Sequence, residues 1–175
     1  MQIKTVLVAA ALLVLGITPQ AQAAIEPVNY NPAAHPFSLE AGAGMNGSLP
    51  FFHAKFGWRL PLLDHRLEPF FDYSFWNLGM EPAFLQVALL GVKYHFDPIG
   101  QIQPFVALNG GMTYLIGGPV VGNIGFVDPT SAIGWAVQAG GGMNLMMSET
   151  FGFSGALYLS YPFVLRPELN LRWTF

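Results

Sequence analysis

Apolar and polar residues alternate along most of the chain from residue 37 to the end. The clearest example is the last segment, residues 165–175. There every second residue is apolar: Leu165, Pro167, Leu169, Leu171, Trp173 and Phe175. The residues between them are polar or charged. A period of two predicts a β-strand whose two faces meet different environments.

Seven further segments show apolar alternation or apolar runs bounded by turn residues. Turn signals such as Asn46-Gly47 and Asp97-Pro98 separate them. We therefore predict about eight strands, an even number, paired up and down in an all-β protein. The predicted strands cover residues 37–46, 52–60, 67–76, 84–96, 103–114, 132–146, 151–159 and 165–175.

Composition separates this chain from ordinary soluble domains. Hydrophobic residues make up 53% and charged residues 10%, whereas soluble domains carry roughly 25% charged residues. Two long windows without charge, 98–127 and 129–148, raise the alternative of a helical membrane protein. Both windows are interrupted by glycine, proline and asparagine, which favours short strands over transmembrane helices.

Charged residues fall on the face opposite the apolar one. If the apolar face meets lipid, nine charges point into the lumen of a closed sheet. They are Glu40, Lys55, Arg59, Glu68, Asp72, Lys93, Arg166, Glu168 and Arg172. Five are basic and four acidic, and an unpaired buried charge is costly. We predict a salt-bridge network that holds the barrel shut, with an ion-selective pore as the alternative.

The terminal strand resembles the last strand of bacterial outer-membrane β-barrels, which alternates apolar residues and closes on an aromatic, usually Phe. The chain as a whole is similar to the OmpA/OmpX group. This resemblance implies a closed antiparallel transmembrane β-barrel in the bacterial outer membrane. It also implies that Leu169, Leu171, Trp173 and Phe175 form an assembly signal for the barrel-insertion machinery.

The N-terminal segment predicts secretion. Lys4 precedes an apolar run from Val6 to Ile17, and Ala21-Gln22-Ala23 supplies small residues for cleavage before Ala24. An uncleaved anchor is the alternative, but the run is shorter than the about 20 residues that span a bilayer. We predict a signal peptide at 1–23, a periplasmic leader at 24–36 and the barrel at 37–175.

Candidate chemistry is sparse. Cysteine is absent, which excludes disulfides and thiolate sites. Gly42 to Gly47 matches G-x-G-x-x-G, but an alternating strand follows where a nucleotide site needs a helix. His53 and His95 point inward without a diagnostic metal-ligand spacing, so lumen hydrogen bonding is favoured. We expect no enzymatic activity, no cofactor and no metal, and the net charge of −3 argues against nucleic acid.

Two groups of residues are candidates for close contact, either between neighbouring strands or with a partner or lipid. Gly110-Gly111 and Gly140 to Gly142 lie inside predicted strands, where glycine marks a bend, a bulge or a close approach. A groove on the lipid face for a partner or acyl chain is the alternative. The connection 115–130 is apolar, and we hypothesise a partner or lipid contact through Ile124, Phe126 and Val127.

Two classes of function follow. The first is a non-enzymatic outer-membrane barrel that contributes to envelope structure or forms a subunit of a larger membrane assembly. The second is a narrow porin-like conduit for small or apolar solutes. The expected partners are outer-membrane lipid, the barrel-insertion machinery and a possible protein within the membrane.

Overall fold

The alternating segments form eight antiparallel strands in the part of the chain that the computed structural model describes, residues 31–47, 49–77, 84–116, 133–161 and 164–175. Each strand pairs with the next, and the first pairs with the last, so the sheet is a closed up-and-down barrel. The predicted fold class is confirmed. The strands are β1 (Phe37–Asn46), β2 (Leu49–Trp58), β3 (Leu67–Asn77), β4 (Phe84–His95), β5 (Ile102–Ile116), β6 (Ile133–Met146), β7 (Phe151–Ser160) and β8 (Val164–Thr174).

The pairing register fixes how the strands are staggered. We start at Glu40 on β1 and move from each residue to its paired residue on the next strand. Through β2, β3, β4 and β5 this series of pairs ends at Ala136 of β6. Followed the other way, through β8 and β7, they reach Met146 of the same strand. These positions lie ten residues apart (146 minus 136), which is the stagger of the barrel. Such a stagger tilts the strands, and an eight-stranded barrel has an interior just wide enough for side chains to fill.

One end of the barrel, here called the terminal end, carries both edges of the closing seam. Phe37 and Phe175 exchange two backbone hydrogen bonds of 3.0 Å there. The turns after β2, β4 and β6 lie at the same end. Arg66 donates a hydrogen bond of 2.6 Å to Asp97, joining the first two of these turns. A hydrogen bond with Tyr94 and the Asp97 carboxylate raise the pKa of Arg66. The opposite end is called the far end.

The outward face of the barrel is apolar. Leu169, Phe52 and Leu90 are each about 70% exposed or more. Aromatic side chains concentrate near both ends of the strands. At the terminal end Phe37 stacks on Trp58 and Phe175. At the far end the described pairs are Phe75 with Phe84 and Trp135 with Tyr161, both with ring centroids 5.2 Å apart. The outer surface is thus an apolar band between two aromatic rims.

Several predictions concern segments outside the described residues. The signal peptide at 1–23, most of the leader and the contact residues Ile124, Phe126 and Val127 are among them, so they stay predictions. The described residues contain no helix that is long and apolar enough to cross a membrane.

The inward glycines Gly111, Gly140 and Gly142 mark close approaches of neighbouring strands, and the register runs through β5 and β6 without a bulge. A Cβ added at Gly111 would lie 2.0 Å from the carbonyl oxygen of Ala88. At Gly110, which points outward, the nearest atom would lie at 3.5 Å. A side chain at Gly111 would therefore collide with the β4 backbone, whereas a side chain at Gly110 would meet only ordinary contacts.

These glycines give the first prediction. Gly111→Ala is expected to destabilise the barrel by about 1–3 kcal/mol, because overpacking forces the β4 backbone to shift. Gly110→Ala on the same strand should change the free energy of unfolding little. Urea unfolding in lipid vesicles, followed by tryptophan fluorescence, measures both. Equal effects at the two positions would contradict this account of the wall.

Candidate functional site

The charged residues predicted to face the lumen all lie inside the barrel, each with at most 3% of its surface exposed. They are Glu40 on β1, Lys55 on β2, Arg59 just after it, Glu68 and Asp72 on β3, Lys93 on β4, and Arg166, Glu168 and Arg172 on β8. Because β8 pairs with β1, these strands form one continuous arc. We call the inward face of this arc the charged wall. The inward face of β5 to β7, which has no Lys, Arg, Asp or Glu, is the uncharged wall.

The strand register places opposite charges directly across from one another. Glu40 is paired with Lys55 on one side and with Arg172 on the other. Glu68 is paired with Lys93, and Asp72 with Lys55. Opposite-charge pairs at such positions stabilise a sheet. The charge pattern and the register are therefore mutually consistent.

Glu68 is the hub of the group nearer the terminal end. Its Oε2 lies 2.6 Å from Nη2 of Arg172 and 3.2 Å from Nε of Arg59. Its Oε1 lies 3.7 Å from Nζ of Lys93 and accepts a hydrogen bond of 3.0 Å from Ser38. Four strands thus converge on one buried carboxylate.

Glu40 extends this group toward the centre of the barrel. It is ion-paired with Arg172, and its Oε1 accepts a hydrogen bond of 2.5 Å from Lys93. Both cations therefore bridge Glu40 and Glu68. Three basic residues, Arg59, Lys93 and Arg172, surround the two carboxylates.

His95 completes the group with a role that its two neighbours define. Its Nε2 lies 3.0 Å from Oε2 of Glu68, and its Nδ1 lies 3.3 Å from Nη2 of Arg59. Arg59 can only donate, so Nδ1 accepts, and Nε2 carries the proton that it donates to Glu68. The neutral ring satisfies both contacts. This geometry agrees with the interpretation of His95 as a hydrogen-bonding residue.

Asp72 and Glu168 form a second group with equal numbers of acids and bases. Lys55 is ion-paired with Glu168 and lies 3.9 Å from Asp72. Arg166 bridges the same two carboxylates, at 2.7 Å from Glu168 and 3.3 Å from Asp72. Ser74 accepts a hydrogen bond of 2.9 Å from Arg166 and donates one of 3.2 Å to Asp72.

Aromatic rings separate and support the two groups. The ring of Phe70 has Lys93 at 5.2 Å and Lys55 at 6.0 Å from its centroid. Lys55 also lies 4.9 Å from the ring of Tyr158, and the Arg166 guanidinium lies 4.1 Å from that of Phe51. Cations over ring faces gain electrostatic attraction where water is excluded. The basic side chains are thus held by rings as well as by carboxylates.

His53, Asp72 and Glu168 are close enough together to be compared with a metal site. One candidate ligand atom from each lies within 4.8 Å of the others. Lys55 and Arg166 already hold both carboxylates, however. A divalent cation would add two positive charges to a buried group that is balanced without it. The chemistry of this cluster therefore favours ion pairing over metal binding.

An apolar cluster lies in the lumen toward the far end, mostly on β2 to β4, and the sequence did not predict it. It consists of Phe51, Trp76, Leu85, Val87, Leu89 and Ala136, each at most 2% exposed. The rings of Phe51 and Trp76 stack with centroids 5.4 Å apart. The lumen therefore contains buried ion pairs along the charged wall and buried apolar side chains toward the far end.

Comparison with known proteins gives a fold and no sequence family. No protein-family model matches the chain, and no curated protein matches it. Among solved structures, the N-terminal β-barrel domain of Pseudomonas aeruginosa OprF aligns with a TM-score of 0.58 and 16% identity, over 79% of this chain and 96% of that one. The fold is that of eight-stranded transmembrane barrels.

Two further structures agree with this assignment. A de novo designed transmembrane β-barrel has a TM-score of 0.58 and 11% identity, over 79% of this chain and 94% of that one. Neisserial surface protein A has a TM-score of 0.52 and 12% identity, over the same shares. The resemblance to the OmpA/OmpX group is thereby supported at the level of architecture.

Proposed function

We propose that the protein is a non-enzymatic barrel of the bacterial outer membrane that serves as a structural component of the envelope or as a subunit of a larger membrane assembly. An outer-membrane position is supported by the apolar band between two aromatic rims, the fold shared with outer-membrane barrels and the predicted signal peptide. The predicted periplasmic leader directly precedes β1, so the terminal end, where β1 begins, would face the periplasm.

The functional part of the proposal rests on the side chains that fill the lumen. Five basic and four acidic side chains fill the charged wall, and stacked rings and branched side chains form an apolar cluster toward the far end. An ion that crossed would have to break buried pairs and then lose its hydration beside an apolar cluster and an uncharged wall, both of which are costly. We therefore propose that the barrel is closed to ions and acts through its outer surface and loops.

Conductance tests this proposal against the alternative of a narrow conduit. Purified protein inserted into planar phosphatidylcholine bilayers is expected to give no discrete current steps at moderate salt. Co-flotation of protein with vesicles shows that insertion has occurred, and a porin in the same bilayers shows that steps would be detected. Discrete steps whose size changes in Lys55→Met or Glu68→Gln would favour the conduit and overturn the proposal.

Isolation from native membranes separates the two roles within the proposal. After extraction in mild detergent, elution at the size of one barrel in detergent favours an envelope component. A larger species that contains the protein in a fixed ratio with another chain favours a subunit. Deleting residues 117–127 tests whether the contact hypothesised for Ile124, Phe126 and Val127 holds that species together.

A further inference from the structure

A groove with a volume of about 790 Å³ crosses the outer surface of the barrel at the closing seam. Its lining comes from β6, β7, β8, β1 and β2, which follow one another around the barrel. The outward residues of this lining are all Ala, Gly, Leu, Met or Phe. The polar residues between them, His53, Ser154 and Asn170, point into the lumen and are at most 6% exposed. The open surface of this seam groove is therefore apolar.

The strand register explains why a groove forms here. Ala43 of β1 is paired with Phe52 of β2 and with Leu169 of β8. Leu169 is paired in turn with Gly155 of β7, and Gly155 with Met143 of β6. Across five strands the row therefore reads large, small, large, small, large. It leaves one hollow at Ala43 and another at Gly155.

The large residues stand above the two hollows. Leu169 is 76% exposed and Phe52 is 70% exposed. Ala41, the next outward residue on β1, lengthens the hollow at Ala43. At Gly155 an added Cβ would lie 3.6 Å from Leu169, an ordinary contact, so this hollow is open. Because neighbouring strands lie about 4.8 Å apart, each hollow is a channel one strand wide between side-chain walls.

The seam groove lies near the terminal end on β6 and β7. Leu145 is one residue from the end of β6, and Phe153 is the third residue of β7. The ring of Phe153 contacts that of Phe151, with centroids 5.7 Å apart, and Phe151 contacts Trp173. These rings belong to the terminal aromatic rim, and such rims lie where lipid meets water. The groove therefore begins just inside the rim, at the depth of the lipid chains of that leaflet.

Size and chemistry select a lipid chain as the occupant. The surface of the groove is continuous with the apolar band that faces lipid. Its volume falls within the range of about 300–1,000 Å³ that is typical of small-ligand sites. A stable protein interface uses about 20–30 residues on each side, whereas thirteen residues line the groove. An acyl chain needs only apolar contacts along its length, and the groove supplies them.

Packing would retain such a chain. Lipid tails are as apolar as leucine, so a chain that moves from the bilayer into the groove gains nothing from the hydrophobic effect. In a hollow, however, the chain touches side chains on two sides and the strand beneath it. On a flat wall it would touch protein on one side only. The additional close contacts add dispersion energy, which is small for one atom pair and large for many.

We propose that the seam groove binds an acyl chain of a phospholipid from the membrane leaflet at the terminal end. The inference rests on the proposed position of the barrel in the outer membrane, with the terminal end toward the periplasm. It deepens that proposal by giving the outer surface a ligand. The bound chain would cover β1 and β8 where they close the sheet, and the head group would lie at the terminal aromatic rim.

Native mass spectrometry of the protein extracted from outer membranes in mild detergent tests this inference. After detergent washing removes loosely attached lipid, the wild-type barrel is expected to keep one phospholipid. The double variant Ala43→Phe, Gly155→Leu fills both hollows and should lose it. The matched control Ala88→Phe, Gly110→Leu makes the same two changes on the lipid faces of β4 and β5, across the barrel, and should keep it.

Several results would overturn the inference. They are a washed wild-type barrel without phospholipid, a folded double variant that keeps the lipid, and a folded control that loses it. Retention of lipopolysaccharide or of a second copy of the chain in place of phospholipid would assign the groove a different occupant. The heat-modifiable band shows which variants fold, and Ala43→Phe alone, which should lower retention, replaces the double variant if that does not.

Failure of this inference can be told apart from failure of the proposed function. Co-flotation with phosphatidylcholine vesicles reports insertion independently of bound lipid. A barrel that inserts but keeps no phospholipid contradicts the groove inference alone. A barrel that does not insert contradicts the proposed position in the membrane, and the groove inference with it.

Discussion

Glu68→Gln is expected to destabilise the barrel by about 3–5 kcal/mol, the usual cost of removing one partner from a buried ion pair. Glu68 contacts Arg59, Arg172 and His95 and lies near Lys93. Without its charge, Glu40 would be the only carboxylate left among three cations in this group. The expected result is a lower urea midpoint in lipid vesicles, measured together with the heat-modifiable gel band that reports a folded barrel.

Glu149→Gln is the matched control for this variant. It makes the same chemical change at an exposed residue in the turn after β6. Surface substitutions of this kind usually change stability by no more than about 0.5 kcal/mol. A Glu68→Gln barrel as stable as the Glu149→Gln barrel would mean that the lumen charges are hydrated and not mutually paired. The closed-lumen proposal would then lose its main support.

Apolar and polar residues contrast strongly on the strands that carry the lumen charges, so the sequence alone assigns these charges to one face. On β8, Arg166, Glu168 and Arg172 alternate with lipid-facing residues, and burial alternates with the same period. Individual contacts could not be predicted in the same way. Arg172 reaches Glu68 across 104 residues of chain. That contact depends on closure of the barrel and on a stagger that no local pattern encodes.

The apolar cluster was missed for a physical reason that β4 illustrates. Residues 84–90 are apolar except Gln86, so this stretch by itself shows no polar inner face, and only Lys93 and His95 farther along the same strand indicate which of its residues point inward. In the structure Leu85, Val87 and Leu89 point inward, while Gln86 is on the outward face. Gln86 is paired with Phe75 and Tyr114 near the far aromatic rim. A polar residue is acceptable there, because such rims lie where lipid meets water.

Both walls of the lumen depend on the seam between β1 and β8. Arg172 pairs with Glu40 across this seam, and Glu168 and Arg166 complete the group around Asp72. On the side of the uncharged wall, Asn170 is paired with Ser154 of β7, which is paired with Asn144 of β6. The terminal strand therefore supplies side chains to the charged wall and to its border with the uncharged wall, as well as the last edge of the sheet.

Deleting Trp173 to Phe175 is expected to abolish assembly. The deletion removes the pairs of Trp173 with Leu39 and of Thr174 with Ser38. It also removes both backbone hydrogen bonds between Phe37 and Phe175 and the contact of Trp173 with Phe151. An open edge in lipid leaves backbone groups unsatisfied at several kcal/mol each. The measurement is the loss of the heat-modifiable band, both in cell membranes and after dilution from urea into phosphatidylcholine vesicles.

Phe175→Ala separates the proposed assembly signal from the seam. It keeps the backbone hydrogen bonds to Phe37 but removes the terminal ring, so folding into pure vesicles should persist. If the terminal residues are read by the insertion machinery, assembly in cells should nevertheless fall. Phe71→Ala, which removes a lipid-facing ring from the middle of β3, should leave assembly in cells normal. Equal loss in vesicles and cells would assign Phe175 to the seam alone, whereas normal insertion of the three-residue deletion would contradict both roles.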